Sequence, residues 1–162
     1  IGTGSGAIAV SLKKSRPMWQ VTASDLSADA LVLAKDNAKL NRVDISFVLA
    51  DVFENVSGCF DIIVSNPPYI SENDKDEVGL NVLTSEPKMA LFADEDGLAI
   101  YRQILEDADK YLNPQGKLYF EIGYKQGEDL RKLLSLHFPD KHVRVLKDQF
   151  GQDRMGVMDD GK

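Results

Sequence analysis

Apolar positions recur along this chain in two rhythms. Short apolar runs at 19–24, 45–50 and 60–65, and again from Lys117 to Ile122, have strand length and end in polar residues. Between them lie stretches with apolar positions three and four apart. Leu31, Ala34 and Ala38 make one such face, Leu98, Tyr101, Leu105, Ala108 and Leu112 a second, and Leu130, Leu133 and Leu134 a third. That spacing predicts helices with one buried stripe. Two final runs, His142 to Leu146 and Arg154 to Met158, flank Gly151 and are close enough to pair antiparallel.

Strands and helices that alternate in this way predict an α/β fold, a doubly wound and mostly parallel sheet with helices on both faces. The chain opens directly on a glycine loop, Gly2-Thr3-Gly4-Ser5-Gly6, which runs into the apolar stretch Ala7 to Leu12. Such a loop normally follows a strand. Ile1 reads as the end of that strand, so the first strand is expected to be largely missing from this chain.

Local signals set the boundaries. Ser27 suits a helix N-cap, with Asp29 favourable in the first turn. Asn41 is expected to close that helix in a left-handed conformation. Asn113-Pro114-Gln115-Gly116 predicts a turn, and Pro139 stops the last helix. Residues 70–96 show no period and are rich in Asp and Glu, a long irregular connection of the kind that often serves function.

Composition narrows the chemistry. One α/β domain of 162 residues is large enough for a real core, and 43% hydrophobic with 28% charged residues is the balance of a globular protein. No run has membrane-span length and no signal peptide is visible, which suits a cytoplasmic location. Cys59 stands alone, so no internal disulfide forms, and its position before a strand suggests packing. With His137 and His142 it makes no metal-ligand spacing, so no metal is expected. The net charge of −7 and the absence of a dense basic cluster disfavour nucleic acid as a partner.

The candidate chemistry sits where strands end. Gly2, Gly4 and Gly6 follow G-x-G-x-G, not the dinucleotide spacing, and let a ligand approach the backbone; a glycine-rich turn without a ligand is the plain alternative. Asp25, after the next strand, can accept from both ribose hydroxyls or serve only the helix start beside it. Asp51, after the strand at 45–50, can accept from an adenine amino group or be an ordinary loop acid. Together these describe a nucleoside-containing ligand, with no Walker pattern.

After Ser65 comes Asn66-Pro67-Pro68-Tyr69-Ile70. Two prolines end the strand abruptly and leave carbonyl acceptors with no backbone donors. The Asn66 side chain adds an acceptor and Tyr69 an aromatic face. That set suits holding a planar –NH2 group by its two hydrogens, although a plain turn tolerates the same residues. Glu121 reads as structural support, and Asp148-Gln149-Phe150-Gly151-Gln152-Asp153-Arg154 as a hairpin turn with an Asp–Arg pair.

On these residues the chain resembles the class I S-adenosylmethionine-dependent methyltransferases, and more narrowly the HemK-type protein-glutamine N5-methyltransferases that modify peptide-chain release factors. The likeness covers nearly the whole chain: Gly2 to Ala9, Ser24 to Ser27 with Ala30-Leu31 and Ala34, Asp36, Asn37 and Ala38, Ser65 to Ile70, Glu86-Pro87, Ala90-Leu91, Asp96 to Leu98, Glu121 to Gly123 with Gln126-Gly127, and Asp148 with Gly151 and Asp153-Arg154. The resemblance implies a seven-stranded sheet with an antiparallel last strand. It also implies residues 1–162 as a catalytic domain and a helical recognition domain upstream. S-adenosylmethionine would be bound by Gly2, Thr3, Gly4, Gly6, Asp25, Leu26, Asp51, Val52 and Asn66, giving S-adenosylhomocysteine as product. Asn66, Pro67 and Tyr69 would be catalytic, and Asn66, Pro67, Pro68 and Tyr69 would hold the substrate amide. The family's acid before the first loop glycine is absent, and Val52, with Phe53 next, stands where it often has an aromatic.

The implied partner is a class 1 release factor, methylated on the Gln of its Gly-Gly-Gln motif. The acidic stretch Glu72, Asp74, Asp76, Glu77 and Glu86, against Lys75 and Lys88, would repel a phosphate backbone and attract a glycine-rich loop flanked by basic residues. Similar Asn-Pro-Pro-Tyr turns occur in methyltransferases acting on adenine or guanine amino groups. The alternatives are therefore such a nucleic-acid enzyme, a ribosomal-protein glutamine methyltransferase, and a cofactor-binding fragment without catalysis.

Overall fold

A computed structural model describes residues 1–68, 70–71, 92–93 and 97–161. The chain divides into two compact units, Ile1–Gly58 and Cys59–Lys162.

The first unit is built from helix α1 (Ala7–Ser15), strand β1 (Thr22–Asp25), helix α2 (Ala28–Leu40) and strand β2 (Ser46–Leu49). The strands pair in parallel, with Thr22 opposite Ser46 and Asp25 opposite Leu49. Both helices are short and carry small apolar faces. Ala9 and Val10 of α1, Ala38 of α2, Ala23 of β1 and Ile45 close one core cluster, with Val21, Val43 and Phe47 packed against it. Ser27 caps α2 as expected, its side chain accepting from the N–H of Ala30 at 3.2 Å.

Two local expectations need correction here. Strand β1 begins at Thr22, later than the apolar run suggested, because Lys13 Nζ donates to the carbonyls of Pro17 (3.0 Å) and Trp19 (2.6 Å) and holds that stretch as a turn. Asn41 is right-handed, and Arg42 takes the positive φ of 55°. The Asn41 N–H (3.0 Å) and Nδ2 (2.9 Å) both donate to the Asn37 carbonyl, so the chain reverses one residue later.

The second unit carries strand β3 (Phe60–Ser65), the two-residue strands β4 (Ile70–Ser71) and β5 (Phe92–Ala93), helix α3 (Ala99–Tyr111), strand β6 (Leu112–Glu121), helix α4 (Gly127–His137), and strands β7 (His142–Lys147) and β8 (Asp153–Asp159). Its main sheet has the order β3-β6-β8-β7. β3 and β6 run parallel, and β8 is antiparallel to both neighbours: its pairing with β7 is the expected final hairpin, and its pairing with β6 matches the antiparallel last strand that the resemblance implied. Where a sheet of seven was implied, the described residues give two strands in the first unit and four in the main sheet of the second.

The core of this unit lies where α3 and α4 meet the sheet. Tyr101, Ile104 and Ala108 of α3, Leu118 and Phe120 of β6, and Leu130 and Leu134 of α4 are all 0% exposed. Tyr101 packs edge-on against Phe120, ring centroids 5.4 Å apart, and its hydroxyl donates to the Glu121 carbonyl at 2.6 Å. A buried Tyr keeps its hydroxyl paired in this way.

Leu112, expected on the helix face, already belongs to β6, opposite Phe60; the ladder then jumps to Lys117 opposite Ile62. The residues read as a turn, 113–116, form the irregularity between these pairs, and Asn113 Nδ2 donates to Asp61 Oδ1 at 2.7 Å across it. Within the segment read as irregular, 70–96, the described residues form a short parallel pairing, Ile70 opposite Phe92 and Ser71 opposite Ala93. Its acidic residues lie outside the described positions. No helix among the described residues is long and apolar enough to cross a membrane.

Candidate functional site

The glycine loop of the first unit is held from two sides. On one side it joins β1: the Thr3 N–H donates to the Ser24 carbonyl at 2.9 Å, and the Gly4 N–H to Asp25 Oδ2 at 2.8 Å. On the other it meets α2, where Asn37 Nδ2 donates to the Ser5 carbonyl at 2.8 Å. Gly2, Gly4 and Gly6 have φ values of 63°, 53° and 79°, a region costly for other residues. A Cβ on Gly2 or Gly4 would meet nothing within 4 Å, so the space above those two is open. A Cβ on Gly6 would lie 2.9 Å from Ala34 Cβ, so there glycine also serves close helix packing.

Asp25 ends β1 as predicted. Its Oδ1 accepts from the Ser27 N–H at 2.9 Å while Oδ2 takes Gly4. A carboxylate offers about four acceptor positions, so lone pairs remain on both oxygens. The two readings of Asp25, ligand contact and helix-start support, are therefore compatible. Leu26, next in sequence, is 57% exposed.

Asp51 and Val52 follow β2 at the same end of the parallel pair, since the Ala50 N–H donates to the Asp25 carbonyl at 2.9 Å. Asp51 is exposed. Val52 has φ 51°, a strained conformation for a β-branched residue. Its side chain and that of Phe53 are both buried. The first unit thus ties the glycine loop to the end of β1 through Thr3 and Gly4, and sets Asp25, Asp51 and Val52 at or just past the ends of its two parallel strands.

Asn66 and its neighbours belong to the second unit. Ser65 is the last residue of β3 in the ladder, opposite Phe120, and is buried. Asn66 is exposed, Pro67 buried and Pro68 half-buried. Tyr69 lies outside the described residues. Pro67 and Pro68 have no N–H, so those two residues present backbone carbonyl acceptors and no backbone donors.

The remaining candidates are structural. Asp148 closes the β7–β8 turn: its Oδ1 accepts from the N–H groups of Gln152 and Phe150, and its Oδ2 from Arg154 Nε and an Arg154 terminal nitrogen at 3.3 Å. The Gln152 N–H foremost holds this carboxyl below its ordinary range. Arg154 also donates to the Ile122 carbonyl. Cys59 is exposed, against the packing role expected of it, with Sγ 3.6 Å from the Lys110 carbonyl. Among the described residues no group of three metal-binding side chains assembles.

Asn37, which holds the loop from α2, is given no contact with it by the sequence reading, and Ala34, expected on the buried face, also crowds Gly6. The available signal was a polar residue one helical turn after Ala34 and next to Ala38 of the apolar face.

Comparison with known proteins follows the same residues. A family described as methyltransferase small domain matches residues 1–93. A protein of Streptococcus pneumoniae named release factor glutamine methyltransferase is 62% identical over 162 residues, which is 100% of this chain and 58% of that protein. A Lactococcus lactis protein of the same name is 48% identical, covering 96% of this chain and 57% of its own length. The chain therefore spans little more than half the length of these relatives. A solved ribosomal protein L11 methylase from Lactobacillus delbrueckii superposes with a TM-score of 0.70 at 24% identity, covering 99% of this chain and 67% of the other. A plantazolicin methyltransferase solved with SAH superposes at 0.65 and 13% identity, covering 99% of this chain and 75% of its own. At such identities the likeness is one of fold.

Proposed function

The chain belongs to the methyltransferase small-domain family, and on that premise we propose that it is the catalytic part of an enzyme that methylates the side-chain amide nitrogen of Gln in the Gly-Gly-Gln motif of class 1 release factors, in the cytoplasm, with S-adenosylmethionine as donor. The name carried by its relatives at 62% and 48% identity supports the substrate.

The residues of the first unit fit a nucleoside-bearing donor. Open space above Gly2 and Gly4 and the spare lone pairs of Asp25 are the features such a ligand needs. In this reading Asp25 holds the ribose hydroxyls, Asp51 and Val52 the adenine edge, and Leu26 an adjoining apolar surface. When bound, S-adenosylmethionine supplies an electrophilic methyl group on a sulfonium.

The observation that carries the acceptor side is the end of β3, where Ser65 is still in the ladder and Asn66 is exposed, followed by two prolines. An amide nitrogen is a weak nucleophile because its lone pair is delocalised into the carbonyl. Asn66 Oδ1 and the Pro67 carbonyl accept its two hydrogens, orient the nitrogen, and favour the positive charge that develops on it during transfer. In this reading the amide plane would lie against the aromatic face of Tyr69, a residue outside the described positions, and Pro68 would help hold the substrate amide. The proton leaves to water after transfer, so no strong base is required.

The test is a transfer assay with methyl-labelled S-adenosylmethionine, a class 1 release factor, and free RNA and DNA in parallel, with the labelled residue mapped by peptide mass spectrometry. Label on the Gly-Gly-Gln glutamine is expected. Label in nucleic acid with none on that glutamine overturns the substrate.

A further inference from the structure

We infer that Asn37 is a positioning residue, whose side-chain N–H holds the Ser5 carbonyl and thereby keeps the glycine loop in its ligand-ready shape. The inference rests on the cofactor reading above.

The peptide between Ser5 and Gly6 is fixed at both poles. Its carbonyl accepts from Asn37 Nδ2 at 2.8 Å, and its N–H, on Gly6, donates to the Thr3 carbonyl at 2.9 Å. Gly4 and Gly6 flank this segment, both at positive φ. Glycine crosses between backbone regions at little cost, so a loop with glycines on both sides of one residue has several accessible shapes. Thr3 and Gly4 are tied to β1 by Ser24 and Asp25, but the end of the loop nearest α1 needs its own restraint. Asn37 supplies it from a position 32 residues away.

Asn37 is itself anchored. Its backbone carbonyl accepts from both the N–H and Nδ2 of Asn41, and Asn41 Oδ1 accepts from Lys14 Nζ at 3.1 Å. Lys14 lies in the last turn of α1. A continuous chain of bonds therefore runs from α1 through Asn41 and Asn37 to the loop that begins α1. The close approach of Gly6 to Ala34 lies one helical turn earlier on α2. A loop that leaves its competent shape part of the time binds with an affinity reduced by that fraction.

The experiment compares the parent protein with Asn37→Ala and Asn37→Asp. Neither change removes a backbone bond of α2, and alanine favours the helix. The Asp side chain has nearly the shape of Asn but presents an acceptor to the Ser5 carbonyl. S-adenosylhomocysteine binding is measured by calorimetry, and amide hydrogen exchange is followed in the ligand-free proteins. Asn37→Ala is expected to weaken binding roughly three- to tenfold, the equivalent of one ordinary hydrogen bond, and Asn37→Asp at least as much. Exchange at the Gly6 amide should accelerate while the β1 and β2 amides keep the parent rate. Parent-like affinity in Asn37→Asp overturns the donor role. Acceleration shared equally by β1, β2 and α2 overturns it too, because that is general destabilisation. A parent protein that binds no S-adenosylhomocysteine counts against the cofactor reading, and the exchange comparison then still decides whether Asn37 restrains the loop.

Discussion

The Gly4 N–H donates to Asp25 Oδ2 at 2.8 Å, so the carboxylate that ends β1 also fixes the middle of the glycine loop. Its other oxygen holds the Ser27 N–H at the start of α2. One side chain thus joins loop, strand and helix while keeping lone pairs for a ligand.

Asp25→Ala should therefore act twice, removing a ligand acceptor and releasing the loop. S-adenosylmethionine binding is expected to weaken by about 1.5–3 kcal/mol, the range for hydrogen bonds to a charged group. Calorimetry that finds the parent affinity removes Asp25 from the cofactor site.

Asn66→Ala should leave cofactor affinity nearly intact and lower kcat by roughly 100-fold or more, as loss of a preorganised contact to developing charge does. Asn66 is exposed at the end of β3, so the fold should tolerate the change. Near-parent turnover of a release factor would show that another group holds the amide.

Gly6→Ala and Gly4→Ala separate backbone strain from crowding. Both place alanine at positive φ, but only at Gly6 does the new Cβ meet another side chain, Ala34, at 2.9 Å. Gly4→Ala should cost about 1 kcal/mol of stability, and Gly6→Ala about 1–3 kcal/mol more. Equal denaturation midpoints for the two variants would mean that α2 yields at Ala34.

Asp159 should make stability depend on pH in the acid range. It is 5% exposed, accepts from the Gly161 N–H at 2.8 Å, and pairs with Arg144. The Gly161 N–H, followed by the charge of Arg144, holds its carboxyl below the ordinary value. The unfolded chain then binds the proton more readily than the folded one. Its contribution is fully present above the unfolded value, about 3.9, and is lost as pH falls through the folded value. In denaturant titrations Asp159→Asn should be less stable than the parent at pH 7 by about 1–3 kcal/mol, and the gap should close below about pH 4. A gap that persists unchanged at acid pH would mean that the carboxylate charge is not what stabilises.

The features legible beforehand share a local cause. Ser27 caps α2 because a short hydroxyl before a helix can reach the next turn's N–H. Apolar spacing marked the buried face of α3, and two prolines after Ser65 ended β3 where expected. Asp148 and Arg154 paired across the final turn as their spacing allowed. Where local rules competed, the reading slipped. Asn41 was given the left-handed position on propensity, but its side chain bonds back to Asn37 and hands that conformation to Arg42.

By itself the sequence determined the alternation of strands and helices, the glycine loop, the acids at strand ends and the end of β3 before Asn66-Pro67-Pro68, because periodicity, chain stiffness and capping act over a few residues. Tertiary structure alone decided the order β3-β6-β8-β7, the bond from Tyr101 to Glu121, the contact of Gly6 with Ala34 and the hold of Asn37 on Ser5. Each of these joins residues distant in sequence. Such pairs form only where burial brings a donor and an acceptor, or two small faces, to one place, and no local pattern records which partner that will be.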